Sequence, residues 1–143
     1  MKNLLIILTL MIGLMSCSDK EKTTKPESAE TDKDKVEILY FHGKQRCATC
    51  RAIEENTVEL VNTRFAKELK DGSLIFKNID ISTPEGEEIA DRYEVTWSSL
   101  FVNSWKDGKE TRNNITELAF ANARNNPDNF KKELTDIIRQ SLR

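Results

Sequence analysis

Val36-Glu37-Ile38-Leu39-Tyr40-Phe41-His42-Gly43-Lys44-Gln45-Arg46-Cys47-Ala48-Thr49-Cys50 is the stretch on which the fold turns. Residues 36–41 are rich in β-branched and aromatic side chains and predict a strand. Residues 42–46 are polar and read as a short turn. From the cysteines onward the apolar spacing changes: Ile53, Val58, Val61, Phe65 and Leu69 recur three to five residues apart and predict one long helix. Cys47 then stands at the N-terminal end of that helix and Cys50 one turn inside it. Unpaired backbone N–H groups and the positive end of the helix dipole favour a thiolate at such a position. A thiolate is the nucleophile of disulfide exchange, and a second thiol one turn away can resolve the mixed disulfide.

Downstream the elements alternate. Gly72 suits the C-cap of the long helix. Residues 73–81 read as a second strand, and Ser82-Thr83-Pro84-Glu85 supplies an N-cap, an early proline and a capping-box glutamate for a short helix ending near Tyr93. Residues 99–105 form a third strand, residues 106–109 a hairpin turn and residues 110–113 a brief fourth strand. Asn114 with Glu117 opens another helix, broken at Asn125-Asn126-Pro127. The last helix carries Phe130, Leu134, Ile137, Ile138 and Leu142 on one face. The order β-α-β-α-β-β-α(α) predicts an α/β domain with a central mixed sheet: first two strands parallel, last two antiparallel. Helices of the crossovers are expected on one face and the C-terminal helices on the other. Phe41, Phe76 and Phe101 read as packing residues.

Upstream, residues 1–16 carry a positive charge at Lys2 and an apolar run over residues 4–15, which matches a secretory signal. The run is short of the roughly 20 apolar residues of a spanning helix. Leu14-Met15-Ser16-Cys17 resembles the lipobox of bacterial lipoproteins, in which the cysteine is lipidated and cleavage falls just before it. Residues 18–35 hold eleven charged side chains and Ala29 as their one apolar residue, so residues 17–35 are expected to form a lipidated, disordered tether ahead of a domain at 36–143. Ser18 after the lipid site implies, by resemblance to the enteric sorting rule, the outer membrane with the domain facing the periplasm.

The formal net charge is -2 and charged residues of both signs make up 32% of the 143-residue chain, with no basic stripe interleaved with aromatics, so nucleic acid is not an expected partner. No Gly-rich phosphate loop or other nucleotide-binding motif occurs, and no cofactor is expected. Asn114-Ile115-Thr116 fits a glycosylation sequon, which a bacterial export signal makes irrelevant.

The element order, with Cys-x-x-Cys between first strand and first helix, resembles a minimal thioredoxin-like fold over residues 36–142. The run 36–42 with Arg46-Cys47-Ala48-Thr49-Cys50, and the later Val95-Thr96-Trp97-Ser98-Ser99-Leu100, are more closely similar to small bacterial lipoproteins of the nitrophenyl compound nitroreductase subunit ArsF family. The resemblance implies Cys47 as attacking and Cys50 as resolving cysteine, with Trp97 and Ser99 lining the site. Two features depart from thioredoxins. The loop before the third strand has Ser99 nearest the position of their cis-proline, and a non-proline cis bond costs about 2.5–4 kcal/mol, so a trans bond is expected. The position of their buried aspartate falls at Tyr40 or Phe41, neither of which accepts a proton at neutral pH.

Three roles stand open to Cys47 and Cys50: redox pair, ligands of a soft metal or metalloid, or inert disulfide. A closed zinc site takes about four Cys or His ligands, and beyond Cys17 the chain has two cysteines and one histidine, His42. A Cys-x-x-Cys disulfide closes too small a loop to constrain the unfolded chain much. The redox role is therefore preferred. His42 is either a proton shuttle or a solvent-facing turn residue. Lys44, Arg46 and Arg51 place positive charge around the motif, which lowers a thiol pKa. The expected function is a membrane-tethered extracytoplasmic thiol–disulfide oxidoreductase, monomeric, with a thiol protein partner in the envelope. The alternatives are a lipoprotein binding a soft metal or metalloid through Cys47 and Cys50, and an electron-relay subunit of a nitroreductase.

Overall fold

The computed structural model describes residues 33–143. The expected signal, Cys17 and the tether up to residue 32 lie outside the described residues. The chain runs β1 (Lys35–His42), α1 (Ala48–Arg64), α2 (Ala66–Asp71), β2 (Leu74–Asp80), α3 (Pro84–Arg92), β3 (Ser99–Lys106), β4 (Lys109–Thr111), α4 (Thr116–Asn122) and α5 (Pro127–Ser141). The sheet order is β2-β1-β3-β4, with β1 parallel to β2 and antiparallel to β3, and β3 antiparallel to β4.

β1 is the central element, flanked on both edges and buried on both faces. Alternation along it divides the molecule. Val36, Ile38 and Tyr40 point into a large apolar cluster, while Leu39 and Phe41 point into a smaller one with Ile79, Ala90, Val95 and Phe101. The large cluster contains Ile53, Leu60 and Val61 of α1 together with Ala119 of α4 and Phe130, Leu134 and Ile138 of α5. So α1, α4 and α5 share one face and α3 alone covers the other, which corrects the expected division of the helices. The connection from β2 to β3 has to pass over β1, and on the α1 face that space is occupied, so α3 crosses on the opposite side. On β3, Leu100 and Val102 face the large cluster, whereas Asn103 and Trp105 face the α3 side and bond to carboxylates there. The apolar stripe of α5 finds its apolar partner only on the α1 face.

Several local expectations are met and others corrected. The long helix is two helices: Phe65 leaves helical geometry at φ -126° and ψ 25°, serving as C-cap of α1 and N-cap of α2, because its ring is drawn into the core. Thr57, not Val58, is buried on α1, its hydroxyl satisfied by the Ile53 carbonyl at 2.7 Å. Gly72 caps α2 with a left-handed φ of 79°. Thr83 caps α3 through Gly86 N–H at 3.1 Å, so the third helical position falls on Gly86 and the expected capping box with Glu85 does not form. Gly86 is demanded by packing: a Cβ there would lie 1.9 Å from the Asp80 carbonyl oxygen. Asp107 and Gly108 both have positive φ, 49° and 72°, as a two-residue hairpin turn with the right twist requires. Asn114 does not cap α4 directly; it accepts from Thr116 N–H at 3.0 Å, while Ile115 is the cap residue and donates its N–H to Leu100.

Candidate functional site

Cys47 is the N-cap of α1, extended at φ -70° and ψ 166°, and its Sγ accepts the Cys50 N–H at 3.0 Å. The two cysteines form a disulfide with Cα atoms 5.0 Å apart. Their surroundings differ: Cys47 is exposed and Cys50 is 6% exposed. A sulfur that exchanges with a partner protein has to be accessible, and of the two only Cys47 is open to solvent. The helix that presents them is anchored from behind by Ile53, Leu60 and Val61, which leaves its first turn little freedom.

Tyr40 is the residue beneath the motif. Its ring is fully buried, its hydroxyl donates to the Cys50 carbonyl at 2.7 Å, and Ser98 approaches the same phenol. Burial pushes the phenol above its ordinary 10.0, so it stays a neutral donor at physiological pH. Arg46 lies over the Tyr40 ring, 5.6 Å from its centre, and pairs with Glu54 of α1. Asn78 of β2 donates to the other Glu54 oxygen. Arg51 donates to the Arg46 carbonyl at 2.8 Å, fixing the residue just before Cys47.

The other expected site residues are placed less directly. His42 is half-buried at the end of β1; its Nδ1 lies 3.1 Å from the Gly43 carbonyl oxygen, and its ring centre lies 5.8 Å from that of Tyr40, tilted by 31°. No described contact joins it to either sulfur. Ser99 is buried and donates to the Trp97 carbonyl at 3.1 Å, while its neighbour Ser98 lies beside the Tyr40 phenol. Pairing of Ser99 with Phe41 brings the loop to the same end of the sheet as the cysteines. The described residues contain no cis peptide bond. Trp97 is 59% exposed, 5.5 Å from the Phe120 ring, and borders an open cleft of about 490 Å³ with residues 114–118. The positive charge expected around the motif is reduced, because Arg46 is paired with Glu54 and only Lys44 and Arg51 remain exposed. Among the described residues no three His, Cys, Asp or Glu side chains converge as a metal site.

Tyr40, Glu54 and Ser98 escaped the sequence reading as site members. Tyr40 shares its alternation with Val36 and Ile38, a signal for the α1 face. Glu54 lies one helical turn after Cys50, which places it on the face of the motif but does not announce Arg46 as its partner.

A four-stranded mixed sheet of order β2-β1-β3-β4, with helices on both faces and Cys-x-x-Cys opening the first helix, is a thioredoxin-like α/β fold. Among solved structures the chain is similar to a thioredoxin from Thermus thermophilus, at 19% identity over 72% of this chain and 73% of that one, with a TM-score of 0.46. It is also similar to a Fasciola hepatica thioredoxin, at 24% identity over 75% and 81% of the two chains, with a TM-score of 0.46. No protein-family model and no curated protein matches the chain.

Proposed function

We propose that this chain is a thiol–disulfide oxidoreductase of the bacterial cell envelope, tethered to the membrane by lipid on Cys17. The observation that carries the reading is the pairing of an exposed Cys47 at a helix N-cap with a buried Cys50 one turn behind it. In the reducing direction the Cys47 thiolate attacks one sulfur of a partner disulfide, forming a mixed disulfide and releasing one partner thiolate. The Cys50 thiolate then attacks Cys47 Sγ, re-forming the Cys47–Cys50 disulfide and releasing the second partner thiolate. Two electrons pass to the partner, and a second dithiol protein restores the reduced pair. The reverse sequence oxidises a partner dithiol. The expected partner is a thiol or disulfide protein on the same membrane surface. The signal-like run 1–16 ending at Cys17 supports the anchor.

The test uses the full chain with Cys17→Ser, equilibrated in glutathione buffers of varied ratio and trapped by alkylation. A reversible two-electron couple is expected. Cys47→Ser should abolish exchange, and Cys50→Ser should accumulate mixed disulfides with envelope proteins. Full exchange activity in Cys47→Ser would overturn the assignment. For the anchor, fatty-acid labelling of the natural chain should vanish in Cys17→Ser; labelling that persists would overturn it.

A further inference from the structure

Arg46 immediately precedes Cys47, and by position its charge belongs to the activation of that thiol. The structure pairs it with a carboxylate. Its guanidinium bonds to Glu54 of α1 and lies 5.6 Å from the centre of the Tyr40 ring, and its Nε is buried with no hydrogen-bond partner among the described residues. The Tyr40 hydroxyl closes the ring of contacts on the Cys50 carbonyl, so one buried phenol touches groups on both sides of the motif. Asn78 holds Glu54 from β2, and Arg51 holds the Arg46 carbonyl from α1. Side-chain exposure is 23% for Arg46 and 22% for Glu54, so their pairing is screened less by salt than an open surface pair.

We propose that Arg46 and Glu54, seated on Tyr40, are positioning residues that set the redox balance of the Cys47–Cys50 pair by keeping the charge beside Cys47 neutralised. The inference rests on the exchange function proposed above. An unpaired cation near a thiolate stabilises it, and stabilising the reduced form makes a dithiol–disulfide couple a stronger oxidant. A paired Arg46 and Glu54 present a dipole whose field falls off faster than that of a lone charge. The remaining charged groups at this end are Lys44 in the turn, Arg51 on α1, His42 and Asp80 at the ends of β1 and β2, and Glu117 on α4 near Trp97.

The experiment is a double-variant cycle in the full chain carrying Cys17→Ser, read by glutathione equilibrium and by the pH dependence of Cys47 alkylation. Glu54→Gln frees the Arg46 charge. It should shift the equilibrium about tenfold toward the dithiol, roughly 30 mV for a two-electron couple, and move the alkylation profile to lower pH. Arg46→Gln leaves Glu54 unpaired and should shift both readouts in the opposite direction. The double variant should return to within about twofold of the natural pair. Tyr40→Phe, which keeps the ring but loses the hydroxyl, should retain opposite responses to the two charge variants. Single variants that shift the same way report a loosened site and overturn the proposal, as does an equilibrium unmoved in Glu54→Gln. If the unaltered pair itself fails to exchange reversibly, it is the oxidoreductase reading that falls.

Discussion

On one face of the sheet, α1, α4 and α5 bury Val36, Ile38 and Tyr40 beneath Phe130, Leu134 and Ile138, an almost wholly apolar contact. On the other face, α3 covers only Leu39, Phe41, Ile79 and Phe101, and past its reach the surface is closed by paired charges. Glu37 is 4% exposed, held by Lys77 at 3.0 Å, Lys35 at 3.3 Å and the Trp105 indole N–H at 3.0 Å. Beside it, Glu110 accepts from Tyr93 and from Asn103 at 2.9 Å, while Arg112 stacks 4.1 Å from the Tyr93 ring. The first face is held by non-directional burial and can therefore carry a rigid platform for the cysteines. The second is held by directional bonds, each of which has to be satisfied because an unmade buried bond is costly. The exchange site sits on α1, and so inherits the stiffness of the apolar face.

Leu134→Ala puts the largest strain on this contrast. It removes a fully buried side chain from the shared contact of α5, and should cost about 2–5 kcal/mol in denaturant unfolding. A loss below about 1 kcal/mol would show that the apolar face relaxes around a cavity and is not the rigid one. Glu37→Gln tests the charged face. It keeps the shape but removes the charge on which Lys77 and Lys35 converge, and should cost about 1–3 kcal/mol.

The same carboxyl gives a pH signature. Burial raises its pKa, but Lys77, Lys35 and the Trp105 indole outweigh burial and hold it below its ordinary 4.5. A depressed folded-state pKa contributes stability above the unfolded value, and that contribution is lost as pH falls through the folded value. Natural chain and Glu37→Gln should therefore converge in stability as pH drops below 4.5, and a constant gap would show that the charge is not what Glu37 supplies.

Gly86→Ala presses α3 against the end of β2, and should cost about 1–3 kcal/mol through the clash with the Asp80 carbonyl. It should leave the glutathione equilibrium of the cysteines unchanged, because α3 lies on the face away from α1. Lys132→Ala supplies the smallest effect. Its partners Glu133 and Asp136 lie 3.6 and 3.9 Å away, its side chain is 70% exposed, and stability should stay within about 0.5 kcal/mol.

Much of the scaffold was legible because its signals are local. The β-branched run of β1, the Thr83-Pro84 start of α3, Gly72 and the Asp107-Gly108 turn each depend on residues within a few positions. The stripe Phe130, Leu134, Ile137, Ile138 and Leu142 declared the packed face of α5 before any partner was known, with Phe130, Leu134 and Ile138 fully buried and Ile137 and Leu142 at its margin. The break at Phe65 was not legible, since helical spacing runs on through it and only the core position of the ring bends the chain. Nor was the exposure of Trp97, whose apolar character is read equally well as core.

By itself the sequence determined the order of elements, the helix N-cap position of Cys47 and the one-turn offset of Cys50, because hydrogen bonding within a turn and side-chain alternation are properties of neighbours. Only the tertiary structure decided which helices share a face, because that depends on the space α1 leaves to α3 and on the apolar side of β3. It also decided that Arg46, next to Cys47 in sequence, pairs with Glu54 and lies over the Tyr40 ring. A charge selects among all partners within reach, and which partners those are is set by the packing of α1 on β1.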